Sequence, residues 1–380
     1  MKLSTERILT THVGSLPRPP DVSDMLLAKE EGTLADQGAF DACMTGAVAD
    51  VVRQQVEVGV DVVSDGEMSK IGYSTYIKDR LNGFSGDSPR RVPADLALYP
   101  EYVQRIASQG QTPRLKRAMC TGEISVKDEA PLEKDIANMA AALEGSGATE
   151  GFMNAASPGV ISLFQPNQHY PSQEAYLAAL ADIMRAEYEA LHAAGFVIQL
   201  DCPDLAMGRH TMYADESDDA FVAHAAAQVE ALNHALEKVP AEAARLHLCW
   251  GNYEGPHVCD IELDAIYDVV MRAKPQAISF EAANPRHAHE WVVFAERGVP
   301  EDKVLIPGVI DSVSNFVEHP GLVAERICRF ADIVGRERVI AGADCGFATF
   351  AGFGKIDPAI CYAKLRTLSE GAAMASDRLW

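Results

Sequence analysis

Basic residues are scarce in this 380-residue chain: 33 Lys and Arg stand against 55 Asp and Glu, giving a formal net charge of -22. A field of that sign repels phosphate backbones and anionic lipid surfaces, so neither nucleic acid nor membrane is expected as a partner. Long apolar runs are missing as well. Nothing approaches the ~20 apolar residues of a membrane span, and the opening MKLSTERILTTHVGS lacks the apolar core of a signal peptide. The expected location is therefore cytoplasmic. No G-x-G-x-x-G follows a strand-like run and no P-loop occurs, so dinucleotide and ATP sites are not indicated. The eight cysteines (Cys43, Cys120, Cys202, Cys249, Cys259, Cys328, Cys345 and Cys361) lack framework spacing. In a reducing compartment they read as core residues, metal ligands or nucleophiles and not as disulfides. There is no low-complexity tract, tandem repeat or linker that would separate two domains.

What is present is a regular alternation. Short β-branched or apolar runs ending in turn residues occur at 8–13, 60–64, 151–156, 196–201, 245–250, 277–282, 304–309 and 339–344. Between them lie amphipathic patterns. In the first of these, Tyr176, Leu177, Leu180, Ile183, Met184, Tyr188 and Leu191 share a face, with Gly195 placed as a C-cap. Phe221, Val222, Ala225, Val229, Leu232 and Leu236 repeat the pattern, and further helices are expected near 41–58, 260–273, 287–297, 320–334 and 357–375. Eight strands, each followed by a helix, predict a single (β/α)8 TIM barrel over 1–380; an open doubly wound sheet is the other arrangement this order permits. The stretch 70–150 is too long for a simple unit. It carries a helix expected from about Lys70, the Pro- and Arg-rich SGDSPRRVPADLALYP, the strand-like AMCTGEISV and a helix after Pro131. It reads as an insertion after strand 2, a lid or a homodimer surface.

Barrel sites are built at the C-terminal ends of strands. Those ends carry His12, Asp65, Glu67, Asn154, Ser157, Asp201, His247, Cys249, Glu281, Asp311, Asp344 and Cys345. In RLHLCW, side chains alternate faces, so His247 and Cys249 project together, about 7 Å apart along the strand. Glu281 ends the next strand and Cys345 the last. One imidazole, two thiolates and a carboxylate suit tetrahedral zinc. The plainer alternative is a hydrogen-bonded core histidine beside buried thiols. A metal centre with two thiolates favours a reactive bound thiolate, so the chemistry expected is attack of a substrate thiol on a methyl, epoxide or other alkyl carbon. Activation of water for hydrolysis is the competing use.

These residues sit in longer landmarks: TTHVGSLPRP, SDGE, IQLDCPDLA, RLHLCWGNYEGPH, SFEAANPRHAHEW, IPGVID, GADCG and the closing ASDRLW. From near residue 5 to the end, the chain resembles the catalytic barrel of cobalamin-independent methionine synthase and its relatives, the epoxyalkane:coenzyme M transferases. The resemblance implies zinc on His247, Cys249, Glu281 and Cys345. It also implies that the loop of His12 and Ser15, with Glu67 and Asp201, faces the thiol, the two carboxylates orienting an amino-thiol such as homocysteine. Two departures bear on the alkyl donor. Val313 stands near the place of a family histidine, in GVIDSVSNF, and Phe164 near that of a tryptophan, which weighs against methyl-folate. HLCWGNYEGPH, SFEAANPRHAHEW and the closing ASDRLW look closer to the epoxyalkane branch.

The expected function is thus a zinc-dependent S-alkyltransferase joining a small thiol to a methyl or epoxide carbon. Its narrower forms are methyl-folate:homocysteine methyltransferase and epoxyalkane:coenzyme M transferase. A zinc hydrolase or lyase and a non-catalytic thiol-binding protein are the rivals of other classes. Lesser candidates are His257 as an acid, His287 and its neighbours as support for the metal site, and Lys355 as an anion contact. Cys202, one residue beyond Asp201, points to the opposite face.

Overall fold

The computed structural model describes residues 1–89, 91–108, 117–352, 354 and 356–380. Its strands are β1 (Leu9–Thr10), β2 (Val62–Val63), β3 (Leu81–Ser85), β4 (Met119–Val126), β5 (Glu150–Ala156), β6 (Val197–Asp201), β7 (Ala244–Leu248), β8 (Ala277–Phe280), β9 (Val304–Ile310) and β10 (Ile340–Ala343). Eight of them form one parallel sheet in the order β1-β10-β9-β8-β7-β6-β5-β2. The remaining seam, between β1 and β2, is joined by Asp61. Its N–H donates to the Thr10 carbonyl at 3.2 Å, and its carboxylate accepts from the Thr10 N–H at 2.9 Å. Each barrel strand coincides with one of the eight expected runs, and the open-sheet alternative falls away.

The helices form because each has a capped start and one apolar stripe. Ser172 accepts from Ala175 N at the head of Gln173–Ala193, and Tyr176, Leu177, Leu180, Met184, Tyr188 and Leu191 are its buried face. Gly195, at φ 87°, ends it in the left-handed conformation that glycine adopts without a Cβ penalty. Ser217 caps Asp218–Ala235 in the same way. The main core lies between this helical ring and the outer faces of the strands.

Inside the barrel the layers differ. Leu9, Ala277, Val304, Ile306 and Ile340 cluster at its base, with Val62, Phe152 and Val197 beside them. Arg245 caps this floor: its guanidinium lies 3.6 Å from the Phe152 ring centroid and bonds Gln199 Oε1, Thr11 Oγ1 and the His12 carbonyl. Above it the interior turns polar, so the apolar half carries stability and the upper half is free for chemistry.

The long segment after β2 departs from expectation at its start. Residues from Lys70 to Tyr76 form turns, and only Ile77–Arg80 is helical. The chain there is held by tertiary contacts: Arg18 bonds the Lys70 carbonyl, Lys70 Nζ bonds the Asn154 carbonyl, and Gly72 bridges to Phe350. β3 and β4 then pair antiparallel as a separate ribbon. Helix Ala130–Leu143 returns to the outer ring, where its Asn138 meets Thr45 of helix Gln37–Glu57. Contacts from Arg91 to the Met212 carbonyl and from Tyr102 to the Glu254 carbonyl carry the segment across the loops after β6 and β7. Among the described residues, no helix is long and apolar enough to cross a membrane.

Candidate functional site

Register sets the site. Ala156, Asp201, His247, Ser279 and Ile306 are successive partners across β5 to β9, so their side chains share one face of the sheet, the one that carries His247. His247 is 2% exposed; its Nδ1 lies 3.4 Å from Ser279 Oγ, and its Nε2 has no hydrogen-bond partner. Two residues on, Cys249 shares its face. Cys345 arrives from β10 because Asn252 Nδ2 holds the Gly346 carbonyl at 2.6 Å, while Phe347 N–H bonds the Ser15 carbonyl at 2.8 Å. Gly346 has no room for a side chain: a Cβ there would lie 2.0 Å from Ser15 Oγ. The ligand atoms of His247, Cys249 and Cys345 all fall within 4.8 Å of one another.

Glu281 stands next to this trio but outside it. One carboxylate oxygen accepts from Trp250 N at 2.9 Å and the other from Asn284 Nδ2 at 2.7 Å. Burial, with Cys249 beside it, pushes Glu281 up to about 8. Its loop is organised by Asp344. That buried carboxylate accepts from the N–H groups of Ala282, Ala283 and Asn284, each at 2.8 Å, and from Asn284 Nδ2 at 3.2 Å. Close approach to β9 requires Gly308, whose Cβ would lie 2.6 Å from Asp344 Cα.

The electrostatics of the cluster suit a cation. Contact with Cys249, then burial, raises Cys345 well above the usual thiol range. Burial pushes His247 down to about 4, keeping its ring neutral. A neutral ring with Nδ1 toward a hydroxyl and Nε2 unpaired, beside two thiols, is a donor set suited to a soft divalent ion. A positive ion between them would favour the thiolate form that binds it. The residues present therefore fit zinc.

A second polar group lines the same mouth. Glu67, at φ 56°, is a non-glycine residue in the left-handed region, held there by Arg18, whose Nε and Nη2 bond its carbonyl at 3.2 and 2.8 Å. Its Oε2 is buried without a partner. Burial raises Glu67 to about 8, with Asp201 adding to the rise and Lys70 opposing it. Asp201 accepts from Asn154 Nδ2 at 3.0 Å and Gln199 Nε2 at 2.9 Å.

Other expected residues are placed differently. His12 lies deep in the barrel with both nitrogens engaged: Nδ1 accepts from Gly14 N at 3.1 Å, and Nε2 lies 2.7 Å from Gln55 Oε1. It shapes the turn that presents Ser15. Asp311 is spent on its own turn, accepting from Val313 N and Ser314 N. Cys202 packs in the outer core, and all eight cysteines are free. Lys355 lies outside the described residues. Sequence reasoning listed Asp344 as a strand end without a role, since its partners are peptide N–H groups that only the folded loop supplies. It also missed Tyr73, which packs 5.6 Å from Phe164 and 6.0 Å from Phe350 by ring centroids, an aromatic wall drawn from two loops and the end of helix Pro158–Phe164.

A parallel eight-stranded barrel whose mouth gathers one imidazole and two thiols is a (β/α)8 protein with a candidate thiol-rich metal site. The sequence profile described as "Cobalamin-independent synthase, Catalytic domain" matches residues 8–95 and 159–354, and the chain belongs to that family. The methionine synthase of Saccharolobus solfataricus is 25% identical over 378 residues, covering 97% of this chain and 95% of its own. A 5-methyltetrahydropteroyltriglutamate–homocysteine methyltransferase of Nitratidesulfovibrio vulgaris is 26% identical over 362 residues; this chain spans 39% of its length. A B12-independent methionine synthase from Shewanella sp. W3-18-1, solved with selenomethionine, superposes with a TM-score of 0.70. It is 19% identical, over 98% of this chain and 99% of that one, a likeness of fold. These comparisons favour the methionine synthase branch over the epoxyalkane branch toward which those three segments leaned.

Proposed function

We propose that the chain is a zinc-dependent methyltransferase acting on the thiol of a small amino-thiol of the homocysteine type. The observation that carries this is the trio of His247, Cys249 and Cys345, whose ligand atoms lie within 4.8 Å of one another, with His247 Nε2 buried and unpaired. His247, Cys249 and Cys345 would hold the zinc, with Glu281 completing the set. Bound there, zinc lowers the proton affinity of a substrate thiol so that it is a thiolate near neutral pH.

The remaining work belongs to this chain's own side chains. Glu67 and Asp201 receive the substrate ammonium, which brings three donors to carboxylates with acceptor capacity left, including the unpartnered Glu67 Oε2. That arriving positive charge returns Glu67 to its ionised form. Asn154 and Gln199 hold Asp201 in place, and His12 fixes the turn that sets Ser15 against the Cys345–Gly346 corner. Tyr73, Phe164 and Phe350 wall off water on the donor side, and the segment 70–150 serves as the lid. In the transfer, a sulfur–carbon bond forms as the methyl carbon's bond to the donor heteroatom breaks. The leaving group keeps the electron pair and takes up a proton from solvent, which balances the thiol proton given up to solvent on binding.

Zinc-loaded protein should convert homocysteine to methionine when offered a methyl-tetrahydropteroyl donor, followed by mass spectrometry. A parallel reaction offers coenzyme M and epoxypropane. Product in the second arm alone would keep thiol alkylation and sink the methyl reading. Cys249→Ser and Cys345→Ser should lose zinc and activity together, and full activity in a metal-free variant would refute the proposal.

A further inference from the structure

The loop that follows Cys249 ends on a carboxylate that gathers histidines from three strand-end loops. Asp260 Oδ2 lies 2.8 Å from His257 Nδ1 and 3.0 Å from His287 Nε2, and His210 Nδ1 approaches its Oδ1 to 3.1 Å. His210 follows β6, His257 follows β7 and His287 follows β8. The second nitrogen of two of these rings decides their charge. His287 Nδ1 lies 2.9 Å from Glu290 Oε2, and His257 Nε2 lies 2.9 Å from the Tyr253 carbonyl. Each ring therefore faces an acceptor at both nitrogens, and only an imidazolium can donate from both.

We propose that His257 and His287 are held as imidazolium ions which, with Asp260 and Glu290, form a charge-balanced clamp positioning Cys249, Trp250 and Glu281 beneath the insertion. Both rings are stacked on aromatics of the same loop. His287 lies 4.0 Å from the Trp250 ring at 22°, and His257 lies 4.3 Å from the Tyr253 ring at 26°, the geometry of cation–π contact. The indole so held also donates to the Ile261 carbonyl at 2.7 Å, and the Trp250 peptide N–H is the group that bonds Glu281. Fixing the ring thus fixes the residue between Cys249 and the Glu281 carboxylate. On the other side, Tyr253 donates to Asp95 Oδ2 at 2.8 Å, and Asp95 also accepts from His257 N at 2.9 Å. The short helix Ala94–Ala97 of the insertion is in this way tied to the loop of a metal-binding strand.

The charge count supports the assignment. Among His257, His287, Asp260 and Glu290 two imidazolium ions offset two carboxylates, and removing one member leaves the others uncompensated. Burial favours a neutral ring, but the hydrogen bonds to Asp260 and Glu290 outweigh it and hold His287 up to about 10. His257 is raised by Asp260 against the same burial, and Asp260 is held well below the usual carboxylate range. These are positioning residues, and their role as a clamp rests on the zinc reading above.

The test uses full-length, zinc-loaded protein labelled with 15N-histidine at pH 7.5. Two rings should show both nitrogens protonated, one signal disappearing in His257→Gln and the other in His287→Gln. A neutral tautomer pattern at either ring would overturn the assignment. In chelator competition both variants should bind zinc at least tenfold more weakly and shift the tryptophan emission, whereas His234→Gln, at an exposed helix end, should change neither. His257 lies at the edge of the cluster, so its variant remains informative if His287→Gln does not fold. Unchanged zinc affinity and emission in a folded His257→Gln would overturn the clamp. Weakened zinc binding in the variants, with no methyl transfer by the parent protein, would keep the clamp and sink the proposed function.

Discussion

Asp344 illustrates how a side chain that touches no substrate can decide a site. Its carboxylate accepts four N–H bonds from the turn that carries Glu281. In Asp344→Asn an amide NH2 would face two of those donors. Each buried group left unpaired costs on the order of 1–3 kcal/mol, so the variant should be less stable to urea and should retain less zinc after dialysis. His12 makes a different prediction. Its folded form is neutral, accepting from Gly14 N–H, and burial pushes its pKa down to about 3 from 6.5. A depressed folded pKa means that its contribution is complete above pH 6.5 and is lost as pH falls toward 3. In urea titrations of metal-free protein, His12→Asn should show a shallower loss of stability between pH 6.5 and 4 than the parent. An equally steep loss would refute that account.

At the scale of elements, the critical joint is the entry to the insertion. Arg80, at the end of Ile77–Arg80, is buried between two helices. It pairs with Asp135 of Ala130–Leu143 at 2.5 Å and with Glu187 of Gln173–Ala193 at 2.9 Å, and it lies over the Tyr76 ring. Tyr76 donates to the same Glu187 at 2.6 Å. Arg80→Met would leave two buried carboxylates facing each other without a cation, a loss of about 3–5 kcal/mol. Denaturant midpoints should report it, and adding Glu187→Gln should restore part. If the single variant kept the parent midpoint, the joint would not be holding the insertion to the barrel.

For the whole molecule, the zinc reading links activity to global stability. A ligand that binds only the folded state stabilises it by about 2.7 kcal/mol at a hundredfold excess over Kd. Chelation should therefore lower the Tm by several degrees, and returning zinc should restore it. Cys345→Ser should melt at the same temperature with or without chelator. The net charge of -22 adds self-repulsion, which salt relieves, so these melts belong at fixed ionic strength.

Much of this was legible in the sequence by local rules. Each barrel strand is a short apolar run closed by turn residues, and the helix at 320–334 was read to its observed limits, Pro320–Val334. Two-residue alternation alone placed His247 and Cys249 on one face. The turns from Lys70 to Tyr76 escaped because their conformation is imposed by Arg18 and by the Asn154 carbonyl, which are distant in sequence. The convergence of Cys345 on that pair, the bracing of Glu281 by Asp344 and the two-acceptor environments of His257 and His287 depend on barrel closure. Residue type and period determined which groups were available; closure, by bringing separate strand ends within hydrogen-bonding distance, decided their partners and so their charge.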